Sequence, residues 1–264
     1  MHPNRARDCS TRNAGPFGVG VFRWQRPRAS SRRSAQVLGC WLLKVELENV
    51  THAYGSRALP PGRRPALSVR GLSIESGEHV CLVGRSGSGK TTLLNVLSGV
   101  LVPTSGRVRL GHTDLFALSE PARDALRARS IGCVFQTLNL LGGLSAQENL
   151  TLAQRFAGIP APDARRRALE LLDLLGLRER ADALPSQLSI GEQQRVAIAR
   201  AISKSPSLVL ADEPTASLDD DNAEAAIDLL LETCTRSTLL VVTHDPRLIR
   251  RFATPTDMAE LVAS

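Results

Sequence analysis

From about residue 44 onward, apolar and polar residues follow patterns that predict alternating strands and helices. Alternation over residues 45–50 and 67–74 predicts two half-buried strands, and a short strand is expected at 107–110. Apolar runs predict four further strands, at 80–83, 131–135, 208–211 and 239–242. The last two runs show no alternation, which is typical of strands buried on both faces of a parallel sheet.

Helical patterns separate these strands. Residues 90–97 place three leucines on one face, and Gly99 ends that helix. A short helix is expected at 121–129, and a longer helical region at 145–184 in which one helix ends at Gly176. Another helix is expected to begin at Ser189 and run through Ile202. In the longer region, Leu169, Leu172 and Leu175 share one face of the predicted helix. Strands that alternate with helices predict an α/β fold.

Charge divides the 264-residue chain into two parts. Eight of its 33 basic residues and one of its 26 acidic residues fall within residues 1–43, which leaves 25 of each sign in residues 44–264. The net charge of +7 therefore belongs to the N-terminal part. Because the predicted folded part is neutral, it offers no electrostatic reason to expect a nucleic-acid partner, and none is predicted.

Residues 1–43 are rich in Arg, Ser, Gly and Pro and show no sustained period, which predicts a disordered basic extension. A transit peptide is the alternative, since the segment is rich in Arg and Ser and poor in acids. No apolar run is long enough for a membrane span. The five cysteines form no CxxC pair, which suits a reducing cytosol, and Cys81 and Cys133 are expected in the core.

A glycine-rich motif lies between the strand at 80–83 and the helix at 90–97. It matches the strand–GxxxxGK[ST]–helix pattern, in which backbone N–H groups surround the phosphates of a nucleotide. Lys90 is expected to reach the β- and γ-phosphates, and the Thr91 hydroxyl to hold Mg²⁺. A chance glycine-rich turn is the alternative, but strand and helix flank the motif as required. The motif consists of Gly84, Arg85, Ser86, Gly87, Ser88, Gly89, Lys90 and Thr91.

Polar residues end both of the fully apolar strands. Asp212 and Glu213 follow the run 208–211, and His244 follows soon after 239–242. Ligands bind at the carboxyl edge of a parallel sheet. Asp212 is therefore a candidate ligand for Mg²⁺, and Glu213 a candidate base for the water that attacks the γ-phosphate. A solvated acidic loop and an inert histidine are the alternatives. His244 is a candidate sensor of the γ-phosphate.

Further motifs resemble those of ATP-binding cassette (ABC) ATPases, in the right order over about residues 44–250. The stretch 188–195 (LSIGEQQR) is similar to the family's signature sequence, and 214–219 (PTASLD) to its D-loop. Gln136 is similar to the Q-loop glutamine, His244 to the switch histidine, and Tyr54 to the aromatic residue that stacks on adenine. The resemblance implies a P-loop NTPase core with a mainly parallel sheet, an antiparallel β-subdomain and a helical signature subdomain at about 137–190, within a domain spanning 44–264.

The same resemblance implies ATP and Mg²⁺ as cofactors, and two copies arranged head to tail with each ATP between one phosphate loop and the other copy's signature. Catalytic roles would fall to Glu213, His244 and Gln136, and metal binding to Thr91, Gln136 and Asp212. Beyond the phosphate loop, nucleotide contacts are implied for Tyr54, Thr92, Ser189, Gly191, Glu192 and Asp219.

The signature departs from the usual LSGGQ at two positions, where Ile190 replaces a glycine and Glu192 a glutamine. Ile190 needs a negative φ, which a helix start allows. Ser189 and Glu192 have the spacing of a capping box. A carboxylate of Glu192 that turns back onto its own helix is tolerable, whereas one turned toward the partner's γ-phosphate would repel it. A slower ATPase is therefore expected.

Within the family, residues 131–141 and 144–149 are similar to the lipoprotein-releasing and macrolide-exporter branch. That similarity implies an integral membrane permease as partner, contacted through residues 138–144, and a cytoplasmic protein held at the inner membrane by that permease. Ordinary core of the helical subdomain is the alternative for the apolar residues of 138–144. Two alternatives are a soluble ABC ATPase acting on nucleic acid or ribosomes, and a module that uses ATP mainly to dimerise. Neither a coiled-coil insertion nor a second cassette is present, which favours the transporter subunit.

Overall fold

The structure is a computed structural model that describes residues 42–55, 65–216 and 218–262. The predicted extension lies outside the described residues up to position 41, as does Ser217 of the D-loop. The strands are β1 (Val45–His52), β2 (Leu67–Ile74), β3 (His79–Val83), β4 (Ser105–Leu110), β5 (Thr113–Asp114), β6 (Ile131–Val134), β7 (Leu208–Asp212), β8 (Thr238–Val242) and β9 (Thr256–Asp257). The helices are α1 (Lys90–Leu97), α2 (Glu120–Ser130), α3 (Ala146–Phe156), α4 (Ala161–Leu174), α5 (Ile190–Ile202), α6 (Asp220–Thr233), α7 (Pro246–Ile249) and α8 (Met258–Leu261).

The strands form two sheets. One has the order β6-β7-β8-β3-β9, and every neighbouring pair in it is parallel. The other is antiparallel, in the order β2-β1-β4-β5. The expected parallel sheet and antiparallel β-subdomain are both confirmed. Since β7, β8 and β3 are neighbours, the residues that follow them meet at one edge of the parallel sheet.

Burial explains why β7 and β8 lack polar alternation. Every residue of both strands is buried. Leu208 and Leu210 face a core shared with α1 and the antiparallel sheet, whereas Val209 and Ala211 face a second core formed with α5 and α6. The parallel sheet is thus covered on both faces. This packing holds in place the strands whose edge carries the candidate site.

The expected helical region consists of α3 and α4, with short 3₁₀ turns at Arg178–Arg180 and Pro185–Gln187. Gly176, with φ 68°, ends α4 as predicted. The three leucines that were predicted to share a face differ in burial, since Leu172 lies in the core whereas Leu169 and Leu175 are half-buried. The buried face also contains two alanines, which allow close packing against α3. Its members are Ala164, Ala168, Leu171 and Leu172.

The N-terminal boundary differs slightly from the prediction. The carbonyl oxygen of Leu43 accepts a hydrogen bond from Thr238 Oγ1 at 2.7 Å, and that of Leu42 accepts one from Ser76 Oγ at 3.1 Å. The folded domain therefore includes Leu42 and Leu43, which the sequence assigned to the extension. In the part of the chain that the structure describes, no helix has the length and apolar character needed to cross a membrane.

Candidate functional site

The glycine-rich loop joins β3 to α1, as the sequence predicted. Gly87 and Gly89 adopt φ values of 78° and 91°, a region that side chains disfavour. A Cβ on Gly89 would also lie 2.6 Å from the carbonyl oxygen of Ala66. Lys90 is buried, and its ammonium donates to the carbonyl oxygens of Gly84 at 2.6 Å and Arg85 at 3.2 Å. The loop therefore curls around the lysine side chain.

Asp212 lies at the end of β7, beside the start of α1. Burial raises the pKa of its carboxyl group, and Glu213 adds to this, whereas a hydrogen bond from Thr91 and the charge of Lys90 oppose it. Its Oδ1 atom is buried and has no hydrogen-bond partner among the described residues. A buried carboxylate oxygen without a partner, next to a threonine hydroxyl, fits the oxygen ligands that Mg²⁺ prefers.

Glu213 and His244 form the centre of the site. Glu213 Oε1 lies 2.7 Å from His244 Nδ1, and Oε2 accepts from the His244 backbone N–H at 3.1 Å and from Thr243 Oγ1 at 3.0 Å. Glu213 has φ 44°, which is unusual for a residue with a side chain. Strain of this kind persists only where the surroundings hold it, and it clusters at functional sites.

The sequence reasoning missed four residues behind this pair: Thr215, Thr243, Asp245 and Arg247. Asp245 Oδ2 accepts from Thr215 Oγ1 at 2.6 Å and from Arg247 Nη2 at 2.8 Å. The hydrogen bonds from Arg247 are the main reason that the pKa of Asp245 falls to about 2. Thr243 and Asp245 flank His244 directly after β8, so their positions next to a strand end were the available signal.

Gln136 lies two residues beyond β6, and its side chain is exposed. The next turn contains two consecutive residues with positive φ, Leu138 at 57° and Asn139 at 49°. The guanidinium of Arg200, on α5, donates to both of their carbonyl oxygens. Tyr54 is 60% exposed, and its hydroxyl lies 3.3 Å from Thr92 Oγ1, so an open aromatic ring stands beside α1.

The signature stretch starts α5 with the capping box that the sequence predicted. Ser189 Oγ accepts from the Glu192 N–H at 3.2 Å, and Glu192 Oε2 accepts from the Ser189 N–H at 2.8 Å. The latter bond is the main cause of the lowered pKa of Glu192. Arg180 Nε lies 3.6 Å from Glu192 Oε1. The Glu192 carboxylate therefore turns back onto its own helix, and Ile190 occupies an ordinary helical position.

Asp219 caps α6 and contacts the signature through Asn222. Its Oδ1 accepts from the Asn222 N–H at 2.9 Å, and its carboxylate also holds the Asn222 side-chain amide. A Cβ on Gly191 would lie 2.3 Å from Asn222 Oδ1. Within the described ranges, no hydrogen bond joins Ser189, Gly191 or Glu192 to the phosphate loop. Hydrogen bonds within the described part of one chain therefore do not link the signature to the phosphate loop.

Comparison with known proteins agrees with this geometry. The family model described as ABC transporter matches residues 67–216. The chain belongs to the ABC transporter family of ATP-binding proteins. It is 47% identical over 182 residues to the lipoprotein-releasing system ATP-binding protein LolD of Pseudomonas fluorescens, covering 68% of this chain and 80% of that one. It is 43% identical to an uncharacterized ABC transporter ATP-binding protein of Mycobacterium tuberculosis, covering 70% and 76%.

Among solved structures, this ABC ATPase is similar to the ATP-binding cassette MJ0796 in a dimeric post-hydrolysis state bound to ADP and Pi. The TM-score is 0.70 at 39% identity, covering 78% of this chain and 90% of that chain. The P-loop NTPase fold and the ATPase activity expected from the sequence are therefore confirmed.

Proposed function

We propose that this ABC ATPase is the subunit that powers a separate membrane permease of the lipoprotein-releasing or macrolide-exporter type. One observation supports its chemistry above all. The strand order β6-β7-β8-β3 brings Gln136, Asp212, Glu213, His244 and the phosphate loop to the same edge of the sheet. The similarity to LolD of Pseudomonas fluorescens supports the type of permease.

In the proposed site, ATP phosphates lie in the loop 84–89 at the N-terminus of α1, where the helix dipole favours negative charge. Lys90 would exchange its bonds to the Gly84 and Arg85 carbonyls for bonds to the terminal phosphates. The exposed ring of Tyr54 would stack on adenine. Thr91, Asp212 and Gln136 would hold Mg²⁺, which would neutralise charge on the phosphates. The partnerless Oδ1 of Asp212 supports that assignment.

Hydrolysis would proceed by attack of water on the γ-phosphorus. The bond to the β,γ-bridging oxygen breaks, ADP leaves, and Glu213 takes the proton of the attacking water. Thr243 and the His244 backbone N–H hold the Glu213 carboxylate in place. The His244 side chain is 72% exposed, so its ring can also approach a γ-phosphate from the open side of the site.

A second copy would complete each site. In the described part of one chain, Ser189, Glu192 and Asp219 make hydrogen bonds within the signature and α6 and none to the phosphate loop, so a head-to-tail partner would bring them and Gly191 to the nucleotide. The similar cassette MJ0796 is dimeric in its structure with ADP and Pi, which supports such an arrangement. The N-terminus of α5, with Ser189 exposed, would face the partner's γ-phosphate.

The permease would dock on the segment 138–144, beside the Q-loop. Leu138 is buried and serves the core, whereas Leu141 is 48% exposed and is the residue available to a partner. Phe156, at the end of α3, is 71% exposed and is a second apolar residue available to a partner. This docking would hold the ATPase at the cytoplasmic face of the inner membrane.

Co-purification from detergent-solubilised membranes tests the proposal. A tagged protein should bring down an integral membrane protein, and Leu141→Asp should reduce the recovery, while Leu184→Asp, at another exposed leucine, should not. Recovery of ribosomes or nucleic acid instead would favour a soluble ABC ATPase. If the protein releases phosphate from ATP but no membrane protein co-purifies with it, the ATPase activity stands and the proposed permease partner is refuted.

A further inference from the structure

We propose that Arg247 is a positioning residue for ATP hydrolysis. Its side chain links the start of α6 to a series of hydrogen bonds that ends on Glu213. This inference rests on the proposed role of Glu213 as the base. Arg247 lies on α7, three residues after His244, and its side chain is 22% exposed. It lines a cleft together with Glu213, His244 and Asp220.

Arg247 binds two carboxylates from different parts of the chain. Its Nε lies 3.0 Å and 3.1 Å from the two carboxylate oxygens of Asp245, and its Nη2 lies 2.8 Å from Oδ2. Its Nη1 donates to Asp220 Oδ1, at the first residue of α6 and directly after Asp219. Planar guanidinium groups suit such a bridge because their N–H groups have fixed directions.

The series of hydrogen bonds continues from Asp245 to Glu213. The Asp245 N–H donates to Thr243 Oγ1 at 3.0 Å, and that hydroxyl donates to Glu213 Oε2 at 3.0 Å. Thr215, two residues after Glu213, donates to Asp245 Oδ2 at 2.6 Å. Asp245 is therefore attached to the catalytic segment on both sides, through Thr243 and through Thr215.

The four residues in this part of the network are all buried: Glu213, Thr215, Thr243 and Asp245. A buried carboxylate needs a charged partner, and Arg247 is the cation that supplies the ion pair to Asp245. Without it, Asp245 keeps the Thr215 hydroxyl and the backbone N–H of residue 247, but loses its counter-charge. We expect the carboxylate to move toward water and to pull Thr215 and Thr243 out of position.

Glu213 is sensitive to such a movement because its backbone is already in the left-handed region. Its side chain depends on Thr243 and His244 for its orientation. A misplacement of about 1 Å at a catalytic group costs up to about a hundredfold in rate. Loss of Arg247 should therefore slow the chemical step while leaving the phosphate loop intact.

Arg251 provides a matched control. It also joins the C-terminal segment to α6, where it binds Glu224 and Asp228. Neither of those residues contacts Glu213, Thr215, Asp245 or His244 in the hydrogen bonds of the described chain. Each arginine thus pairs with two carboxylates. Only Arg247 has a partner, Asp245, that is hydrogen-bonded to residues of the site.

Steady-state ATPase assays on the full chain compare Arg247→Ala, Arg247→Lys, Arg251→Ala and Glu213→Gln. Arg247→Ala should lower kcat by about tenfold to a hundredfold with the KM for ATP unchanged within about twofold. Arg247→Lys should recover part of the loss, because lysine keeps the charge but cannot bridge both carboxylates. Arg251→Ala should stay within about twofold of the wild type in kcat.

Equal kcat values for Arg247→Ala and Arg251→Ala would overturn the inference, as would a raised KM with an unchanged kcat. If Arg247→Ala does not fold, Arg247→Lys compared with Arg251→Lys decides by the same criterion. Glu213→Gln separates this inference from the proposed function. Wild-type turnover in Glu213→Gln would remove the base assignment and the inference with it, whereas an inactive Glu213→Gln beside fully active Arg247 variants would refute the inference alone.

Discussion

Glu213 Oε1 and His244 Nδ1 lie 2.7 Å apart, at the ends of two neighbouring parallel strands. The two side chains differ sharply in exposure, at 8% for Glu213 and 72% for His244. Buried groups thus hold the glutamate in place, and the histidine forms the solvent-exposed side of the site. This pairing makes the orientation of Glu213 depend on its neighbour.

Replacing Glu213 with glutamine should stop hydrolysis but keep ATP binding. The amide oxygen can accept the bonds from Thr243 and the His244 N–H, and the amide nitrogen can donate to His244 Nδ1, so the shape is preserved. The amide cannot take a proton from water, and kcat should fall by at least about a hundredfold. Asp212 remains intact, so Mg·ATP should still bind.

Size-exclusion chromatography with Mg·ATP should then show a dimer for Glu213→Gln and mostly monomer for the wild type. Glu232→Gln, at an exposed position on α6, is the control and should behave as the wild type. Normal turnover in Glu213→Gln would show that another group is the base.

Lys90→Ala should abolish ATP binding. The ammonium group makes two hydrogen bonds to loop carbonyls, and no other lysine lies in the phosphate loop. Charge-assisted hydrogen bonds contribute about 1.5–3 kcal/mol each, so the loss of two corresponds to at least about a hundredfold in affinity. Calorimetric titration with Mg·ATP measures it. Lys44→Ala, which removes a half-buried lysine outside the loop together with its ion pairs to Glu46 and Glu75, should bind normally.

The sequence could predict the edge of the sheet where the candidate site lies, because the residues that follow neighbouring parallel strands meet at one edge. Asp212, Glu213 and His244 were predicted in this way. It could also predict the Ser189–Glu192 capping box, since that motif is local and depends only on spacing. Features that depend on residues close together in the sequence could therefore be predicted.

Contacts between segments that lie far apart in the sequence could not be predicted from it. Nothing in the local pattern shows that Arg247 reaches Asp220, or that Asn222 packs on Gly191, since both contacts depend on how α6 lies beside α5 and α7. Which residues of α4 are buried was not visible for the same reason. Leucine spacing alone groups Leu169 with Leu175, whereas the buried residues of α4 include the small residues Ala164 and Ala168.

Gly191→Ala should disturb the contact between the signature and α6. The new Cβ would meet Asn222 Oδ1 at 2.3 Å, and Asn222 can move only by breaking its bonds to Asp219. The melting temperature should fall by about 2–6 °C. Asn222→Ala in the same chain should cancel most of that loss, since it makes room. Gly142→Ala, where no atom lies within 4 Å of the new Cβ, should leave the melting temperature unchanged.

Lys204 should make stability depend on pH in the alkaline range. Burial lowers the pKa of its ammonium to about 8, and it donates to the Arg127 carbonyl oxygen. The unfolded chain, with an ordinary lysine pKa, binds more protons than the folded chain above pH 8. The free energy of unfolding therefore rises with pH across this window.

Between pH 7 and pH 9 the wild type should gain about 1 kcal/mol relative to Lys204→Met, which has no charge to lose. Urea unfolding of both proteins at the two pH values measures the difference. Parallel changes in the two proteins would show that Lys204 keeps its ordinary pKa in the folded state.

Glu192→Gln tests the unusual signature, and the chain contains its own control. Glu148 closes an identical capping box on α3, with Oε2 2.9 Å from the Ser145 N–H, against 2.8 Å for Glu192 and Ser189. Glutamine keeps the hydrogen bond but loses the charge in both places, and each variant should lose about 0.3–1 kcal/mol of stability through the helix dipole. Only Glu192 is proposed to lie near a partner's nucleotide. Removing its negative charge should therefore lower the ATP concentration for half-maximal turnover by about twofold to fivefold, while Glu148→Gln leaves it unchanged. An equal shift in both variants would mean that capping, and not charge at the dimer interface, is the only role of Glu192.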